Sequence, residues 1–495
     1  MGTCCGTPYV KEEDTGSSFS RRSSILFEKF SRLSDYKKKY EFLSILGTGG
    51  FGKVRLYRDK KCPDMKFAIK TIKKNFINKH GIASIKREVE ILRKLDHPNI
   101  VNYYETYEDD QYIHIVMEYI PGDNLLKMIS NKSYTDVSER DIMEITVVLL
   151  KTVQFLHNNN IVHRDLKPEN ILFSINGDYQ SLKLIDFGLS IGFREKDTYR
   201  VGSPYYMAPE MLHGEFSFAN DIWSLGVILY FMITGRQPFH AKSRSRIADK
   251  IKQGKYDKPL LAKNHCSDEL KDLIKKILIV EPKKRITVQA MLEHPWITKS
   301  YKIQTNAQLD REILSSLKGF DQKNLLQKEI LFVMARISKE NEIQKLKQAF
   351  KLIDKDNSGE IEYNCIPLIF ERAGITPSSK EIDSLWNSLD FHQDGKINYS
   401  EFLAATISSA TFCKEEKLWS VFQYFDRDDT GYITSDSVIE ALRQSNLEVN
   451  DKGITELFKE LKKSGDKFSF DEFKEIFFSN GHNRMLILNN NQISK

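Results

Sequence analysis

The chain has 495 residues, enough for two or more domains, with 40% hydrophobic and 29% charged side chains, an ordinary balance for a soluble protein. A formal charge of +6 is too small to argue for nucleic acid, and the absence of any run of about 18 apolar residues argues against a membrane-spanning helix. Six scattered cysteines exclude a disulfide framework and paired zinc motifs, and point to a reducing, cytoplasmic setting.

The opening "MGTCC" exposes Gly2 for N-myristoylation once Met1 is removed, although Gly6 stands where the acylation pattern has Ser or Thr. One such chain anchors only marginally, and Cys4 and Cys5 would supply the second, palmitoyl anchor. A membrane-associated location is the expectation. Residues 1–36, rich in Ser, Gly and charge, read as a disordered tail.

From residue 37 to 297 the pattern is globular. Alternating segments such as "KFAIKTI" and "YIHIVMEY" predict strands, and later stretches such as "DIMEITVVLLKTVQFLHNN" predict helices. Strands followed by helices imply a two-lobed α+β domain. "LGTGGFGKV" runs from Leu46 to Val54, with Gly47, Gly49 and Gly52 spaced so that backbone can approach phosphates without a side chain between. Alone this is weak. "FAIK" then places Lys70 to meet phosphate oxygens, and Glu88 in the next predicted helix would hold that lysine. "HRDLKPEN" is far more specific: Asp165 would orient a substrate hydroxyl and Asn170 would hold Mg2+. "DFG" adds Asp186 as the principal Mg2+ ligand, and "APE" ends at Glu210.

Between residues 298 and 340 the sequence predicts an amphipathic helix with Leu326, Ile330, Val333 and Ile337 on one face. That face needs a groove, on the catalytic lobe or among the units that follow. From 341 to 484, loop-like segments begin at Asp354, Asp390 and Asp426, 36 residues apart, with a fourth at Leu461. A repeat of this period is one helix-loop-helix unit copied. Residues 485–495 read as a C-terminal tail.

A calcium loop wants oxygen ligands at positions 1, 3, 5, 7 and 9, Gly at 6 and a bidentate Glu at 12. The second loop fits best, with Asp390, Asp394, the Lys396 carbonyl and Glu401, although His392 is a poor ligand for a hard cation. The first offers Asp354, Asp356, Ser358 and Glu360 but ends in Cys365. The third offers Asp426, Asp428, Thr430 and the Tyr432 carbonyl but ends in Ser437. The fourth keeps only Glu472, and its Phe468 would pair with a neighbouring loop without metal.

Taken together, the chain resembles the calcium-dependent protein kinases: a Ser/Thr kinase domain joined through a junction helix to a calmodulin-like all-α domain of four EF-hand repeats. The resemblance implies Lys167 as the catalytic-loop lysine typical of Ser/Thr specificity. It also implies a gatekeeper at Met117, an adenine-binding hinge over Glu118 to Ile120, Asp221 supporting the catalytic loop, and an Arg285–Glu210 pair. ATP, Mg2+ and Ca2+ are the cofactors it implies. Its substrates would carry basic residues near the target Ser or Thr, read by Glu169 and Asp123, and the protein would act as a monomer. Activation could run through phosphorylation of Thr198, Tyr199 or Ser203, or through an acid such as Asp197 in their place. The rival reading is a constitutive or phosphorylation-regulated kinase with largely vestigial EF-hands.

Overall fold

The computed structural model describes residues 31–49, 52–74, 79–131, 137–192, 203–263, 266–299, 311–320, 323–354, 358–390, 394–407, 415–426, 430–444, 454–455, 458 and 467–478. Gly2, Cys4, Cys5, Thr198, Tyr199, Asp356, His392 and Asp428 lie outside them.

The N-terminal lobe is one six-stranded sheet, in the order β1-β5-β6-β4-β3-β2. Its strands are β1 (Ser31–Arg32), β2 (Tyr40–Gly49), β3 (Gly52–Asp59), β4 (Lys66–Lys73), β5 (Tyr103–Glu108) and β6 (Tyr112–Glu118). The expected boundary of the tail at residue 36 needs correction. Ser31 and Arg32 pair in parallel with Tyr107 and Glu108. The helix α1 (Leu33–Lys39) carries Tyr36, which is buried and stacks on His114 with ring centroids 4.4 Å apart. An aromatic side chain with that much apolar area anchors the last residues of the tail to the sheet.

α2 (Lys79–Lys94) crosses the sheet and presents Glu88 inward. The C-terminal lobe is helical. Its long helices are α4 (Glu139–Asn158), started by a Ser138/Asp141 capping box, and α5 (Phe218–Thr234), which is buried along nearly its whole length and stopped by Gly235 at φ 59°. A reciprocal box satisfies two orphan N–H donors, and left-handed Gly closes a helix without a Cβ penalty. α3 (Leu125–Asn131) precedes them; α6 to α10 (Arg244–Gln253, Lys258–Lys263, Asp268–Ile277, Val288–Leu292 and Pro295–Thr298) complete the lobe. α5 and α8 approach so closely that a Cβ on Gly226 would sit 2.3 Å from the Ile277 side chain.

The described residues of the second half are helical apart from turns and short loop-to-loop bridges. It comprises α11 (Arg311–Phe320), α12 (Leu325–Ile337), α13 (Glu340–Ile353), α14 (Ile366–Arg372), α15 (Ser379–Leu389), α16 (Tyr399–Thr406) and the helices Glu415–Phe425, Ser435–Gln444 and Phe470–Phe478. Loops 1 and 2 pair antiparallel through Ile361 and Ile397, and loops 3 and 4 through Ile433 and Phe468. Phe468 therefore fills the pairing role expected of it.

The region 298–340 differs from expectation in two ways. Its described residues form two helices, and both belong to the core of the EF-hand half, which runs from Ile313 to Phe478. The expected single apolar stripe on α12 is also incomplete. Leu331, Phe332, Met334 and Ala335 are buried as well as Leu326, Ile330 and Val333, whereas Ile337 is half-buried. A helix apolar all round must be covered all round. α16 and the helix Glu415–Phe425 pack on it, and buried Gln327 donates to the Ile476 carbonyl at 2.9 Å.

The EF-hand half sits on the back of the catalytic domain. Arg336 donates to the Tyr103 carbonyl at 2.6 Å, and Tyr104 donates back to the Arg336 carbonyl at 3.0 Å. Ser400 donates its backbone N–H and hydroxyl to Asp96 at 2.8 and 3.0 Å. Gly359 of loop 1 lies against Phe155 of α4, where a Cβ would meet the ring at 2.4 Å. No described helix is long and apolar enough to cross a membrane.

Candidate active site and calcium loops

The ladder of β2, β3, β4 and β6 sets the nucleotide-facing residues side by side. Gly47 pairs with Val54, Val54 with Lys70, and Ala68 with Met117. Leu46 is exposed on the roof, and a Cβ at Gly47 would meet nothing within 4 Å, so this strand leaves open space for a ligand. Met117 and Ile120 are buried at the hinge. The Glu118 carboxylate turns to the back, where it takes Lys183 at 2.9 Å and the Asn102 N–H at 3.1 Å. Only the backbone of Glu118 is left for adenine. Lys183, buried in "LKL", is a residue that sequence reasoning missed; a lysine inside an apolar strand pattern was the available signal.

Lys70 joins the two lobes, 2.6 Å from Glu88 and 2.8 Å from Asp186. Burial disfavours its ammonium, but the two carboxylates outweigh burial and raise its pKa. Burial raises that of Glu88, while Asp186, although also desolvated, is held below the usual carboxylate range by Lys70. Gly188 packs close to these groups: a Cβ there would lie 3.2 Å from Lys70 Nζ and 3.3 Å from Asp186 Oδ1 and Glu88 Oε2. Asp186 adopts φ 65° and Arg164 φ 67°, left-handed conformations held by their surroundings.

Asp165 is buried at the centre of the catalytic loop. Its carboxylate accepts from Lys167, from the Ser203 N–H at 3.0 Å and from the Ser203 hydroxyl at 2.9 Å. The Asn170 amide nitrogen donates to the Asp165 carbonyl at 2.9 Å, which leaves its Oδ1 as the acceptor for a cation. Ser203 was a candidate phosphosite. Here its hydroxyl also accepts from Lys167 at 3.1 Å, so a phosphate at this position would press a dianion against the Asp165 carboxylate. The geometry makes Ser203 a partner of the catalytic carboxylate and a poor site for activating phosphorylation.

Beneath the loop, fully buried Asp221 accepts from the N–H groups of His163 and Arg164, both at 3.0 Å, and pairs with His157 at 2.9 Å. Arg285 grips Glu210 bidentately at 2.8 and 3.1 Å and stands over the Trp223 ring. Removing one partner of a buried pair leaves the other charge uncompensated. Arg285→Met is expected to cost about 3–5 kcal/mol of catalytic-domain stability by chemical denaturation. A loss under about 1 kcal/mol would show that the pair contributes little.

In loop 2, Asp390 accepts the N–H groups of Asp394 and Gly395, both at 3.1 Å, with Gly395 at φ 82°. Glu401 is buried, and its carboxylate accepts the Asn398 N–H at 2.8 Å. Among the described residues no three acidic, imidazole or thiol groups converge as a ready metal site. Lys396 pairs with Glu360 of loop 1. Loop 1 keeps the Asp354 turn, with Gly359 N–H donating at 3.1 Å, but Cys365 bonds Asn364 at 3.2 Å. In loop 3, Asp426 holds Thr430 and Gly431, and Ser437 at position 12 caps the Thr434 backbone at 3.0 Å. A cap needs one oxygen, whereas the ion wants two charged ones.

The fold and these two constellations define a protein kinase coupled to EF-hands. The protein kinase domain family matches residues 40–297, and the EF-hand domain pair matches residues 343–407. The chain is 35% identical over 454 residues to calcium-dependent protein kinase 11 of Oryza sativa subsp. japonica, covering 91% of this chain and 78% of that one. It is 36% identical over 489 residues to calcium-dependent protein kinase 22 of Arabidopsis thaliana, covering 96% of each. The chain belongs to the calcium-dependent protein kinase family.

Proposed function

We propose that this chain is a calcium-regulated Ser/Thr protein kinase whose switch is seated mainly in loop 2. One observation carries the reading. The Lys70–Glu88 and Lys70–Asp186 pairs are formed while α11 and α12 lie inside the EF-hand core, with Arg336 meeting the catalytic domain behind the hinge. This is the arrangement expected of a released enzyme.

Bound Mg2+ and ATP would supply the transferable phosphoryl group and neutralise charge on it. Lys70 would bind phosphate oxygens, held in place by Glu88, and Asn170 and Asp186 would present oxygens to the cation. Asp165 would accept the hydrogen bond of a substrate hydroxyl and aim it, with Lys167 beside it. Glu169 has one carboxylate oxygen, Oε2, buried without a partner, which supports recognition of a basic side chain on the substrate. Asp123 is already paired with Lys127, so Glu169 is the stronger reader.

Calcium at loop 2 would fix Glu401 and its neighbour Ser400, which bonds Asp96 just beyond α2, and so favour this docked arrangement. At resting calcium the junction helices would leave their groove and the catalytic pairs would loosen. Acylation at Gly2, Cys4 and Cys5 would hold this monomeric enzyme at a cytoplasmic membrane face; vesicle co-sedimentation of protein made with and without an N-myristoyltransferase tests that, and equal binding of the two would refute it.

The test of the main reading is phosphoryl transfer by the full-length protein to a basic Ser/Thr peptide, titrated with free calcium. A sharp rise is expected. A flat, already active profile would favour the rival, in which the EF-hand half is a fixed structural module.

A further inference from the structure

Residues 242–258, which include α6 (Arg244–Gln253), hold seven basic side chains against two acidic ones. That local excess nearly equals the +6 of the whole chain. All the basic residues of this run are exposed, and among the described residues none of them is in an ion pair.

Folding does not account for this charge. Arg244 and Arg246 stand in the first turn of α6, where the helix dipole favours acids. The Ser243 hydroxyl already caps the Arg246 N–H, so the helix start has no need of them. Arg246 and Lys250 are like charges four residues apart, which weakens a helix. An arrangement that costs helix stability points to a partner of opposite sign.

Two features identify the kind of partner. The apolar side chains of α6, Ile247 and Ile251, are buried in the catalytic domain, and no large hydrophobic residue of the run is exposed. A helix that lies on lipid needs an apolar face turned to it, so a basic face without one suits an acidic polypeptide. The approach to α6 is also tied to the substrate side of the active site. Lys250 donates to the His240 carbonyl at 2.8 Å, and Gln237, three residues earlier, donates to the Tyr206 hydroxyl at 2.7 Å. The Tyr206 N–H in turn donates at 2.9 Å to the carbonyl of Ser203, the residue bonded to Asp165.

We propose that α6 is a docking surface for an acidic segment of the protein substrate, remote from its phosphorylated Ser or Thr. The EF-hand half meets the catalytic domain elsewhere, at Asp96, Tyr103 and Phe155, so this face stays open in the docked arrangement. Substrates then carry two signals: basic residues beside the target for Glu169, and an acidic stretch farther along. The proposal rests on the kinase reading, and stands whether or not loop 2 is the calcium switch.

The test uses the full-length protein at saturating calcium. Binding of a fluorescent acidic peptide is read by anisotropy, which needs no catalysis. A basic Ser peptide is also phosphorylated with and without an acidic stretch, joined at either end through a flexible Gly/Ser spacer of about ten residues. The acidic peptide is expected to bind, more weakly as salt rises. The extension is expected to lower KM about ten-fold at one of the two ends with kcat unchanged, because docking adds the same binding to ground and transition states. The triple variant Lys242→Gln/Arg244→Gln/Arg246→Gln should lose both effects. It should unfold no earlier than the parent, since charge no longer opposes its helix start. Glutamine at Lys38, Lys275 and Lys283, exposed elsewhere, removes the same net charge and should leave both effects intact. The proposal is overturned if the acidic peptide does not bind, if neither extension lowers KM, or if the control variant loses as much as the triple variant. Phosphatidylserine vesicles bound by the parent and not by the triple variant, with no change in KM, would assign the face to a membrane and overturn it as well. Phosphorylation of the unextended peptide reports the kinase reading separately: its absence would sink that reading, whereas its presence with no gain from the extension sinks docking alone.

Discussion

Asp165→Asn will lower phosphoryl transfer by about a hundred- to ten-thousand-fold, the span typical of losing a positioned acid-base group. The substitution keeps shape and hydrogen-bonding capacity but removes the negative charge. That charge is what orients a hydroxyl for in-line attack, and four donors surround it: Lys167, the Asn170 amide, the Ser203 N–H and the Ser203 hydroxyl. With a neutral amide, half of the acceptor surface becomes donor and faces the Lys167 ammonium. Nucleotide affinity should hold, because Lys70, Glu88 and Asp186 are untouched. Initial rates with a basic peptide, beside nucleotide binding by fluorescence, check both halves. A loss below ten-fold would remove Asp165 from the centre of the mechanism.

The second large effect is in regulation. Glu401→Gln should abolish a calcium-dependent rise of about 100-fold, which requires roughly 2.7 kcal/mol of differential calcium binding between resting and active states. Glutamine at this position can still accept the Asn398 N–H, since capping boxes take Gln as well as Glu. The helix start is thus kept while the bidentate carboxylate is lost. Glu472→Gln in loop 4 is the matched control, because Glu472 makes the same kind of cap at Ser469. That variant should keep the calcium response. If Glu401→Gln still responds and Glu472→Gln does not, the switch lies in the other pair of loops.

The sequence announces chemistry that is carried on short contiguous runs. "HRDLKPEN" holds Asp165, Lys167 and Asn170 within one turn, so their meeting needs no knowledge of the fold. The helix-loop-helix repeat is legible for the same reason, since the first three loops each carry most of their own ligands on one short run. What stayed hidden depends on residues far apart in the chain. Ser203 reads as one more hydroxyl in an activation loop until it is seen bonded to Asp165. Nothing local in Tyr104 foretells a bond to Arg336, more than 200 residues on. The stripe on α12 was read from spacing alone, which detects one buried face and is silent when the opposite face is buried too.

α12 also imposes an order on the birth of the molecule. It leaves the ribosome some sixty residues before α16 and nearly eighty before the helix Glu415–Phe425, the two elements that cover it. At cellular rates of synthesis this gap lasts on the order of several seconds. Through it, the catalytic lobes are complete while their future clamp on Asp96, Tyr103 and Tyr104 does not yet exist. The catalytic domain is therefore synthesised before the elements that regulate it, and α12 emerges before the helices that bury its apolar surface.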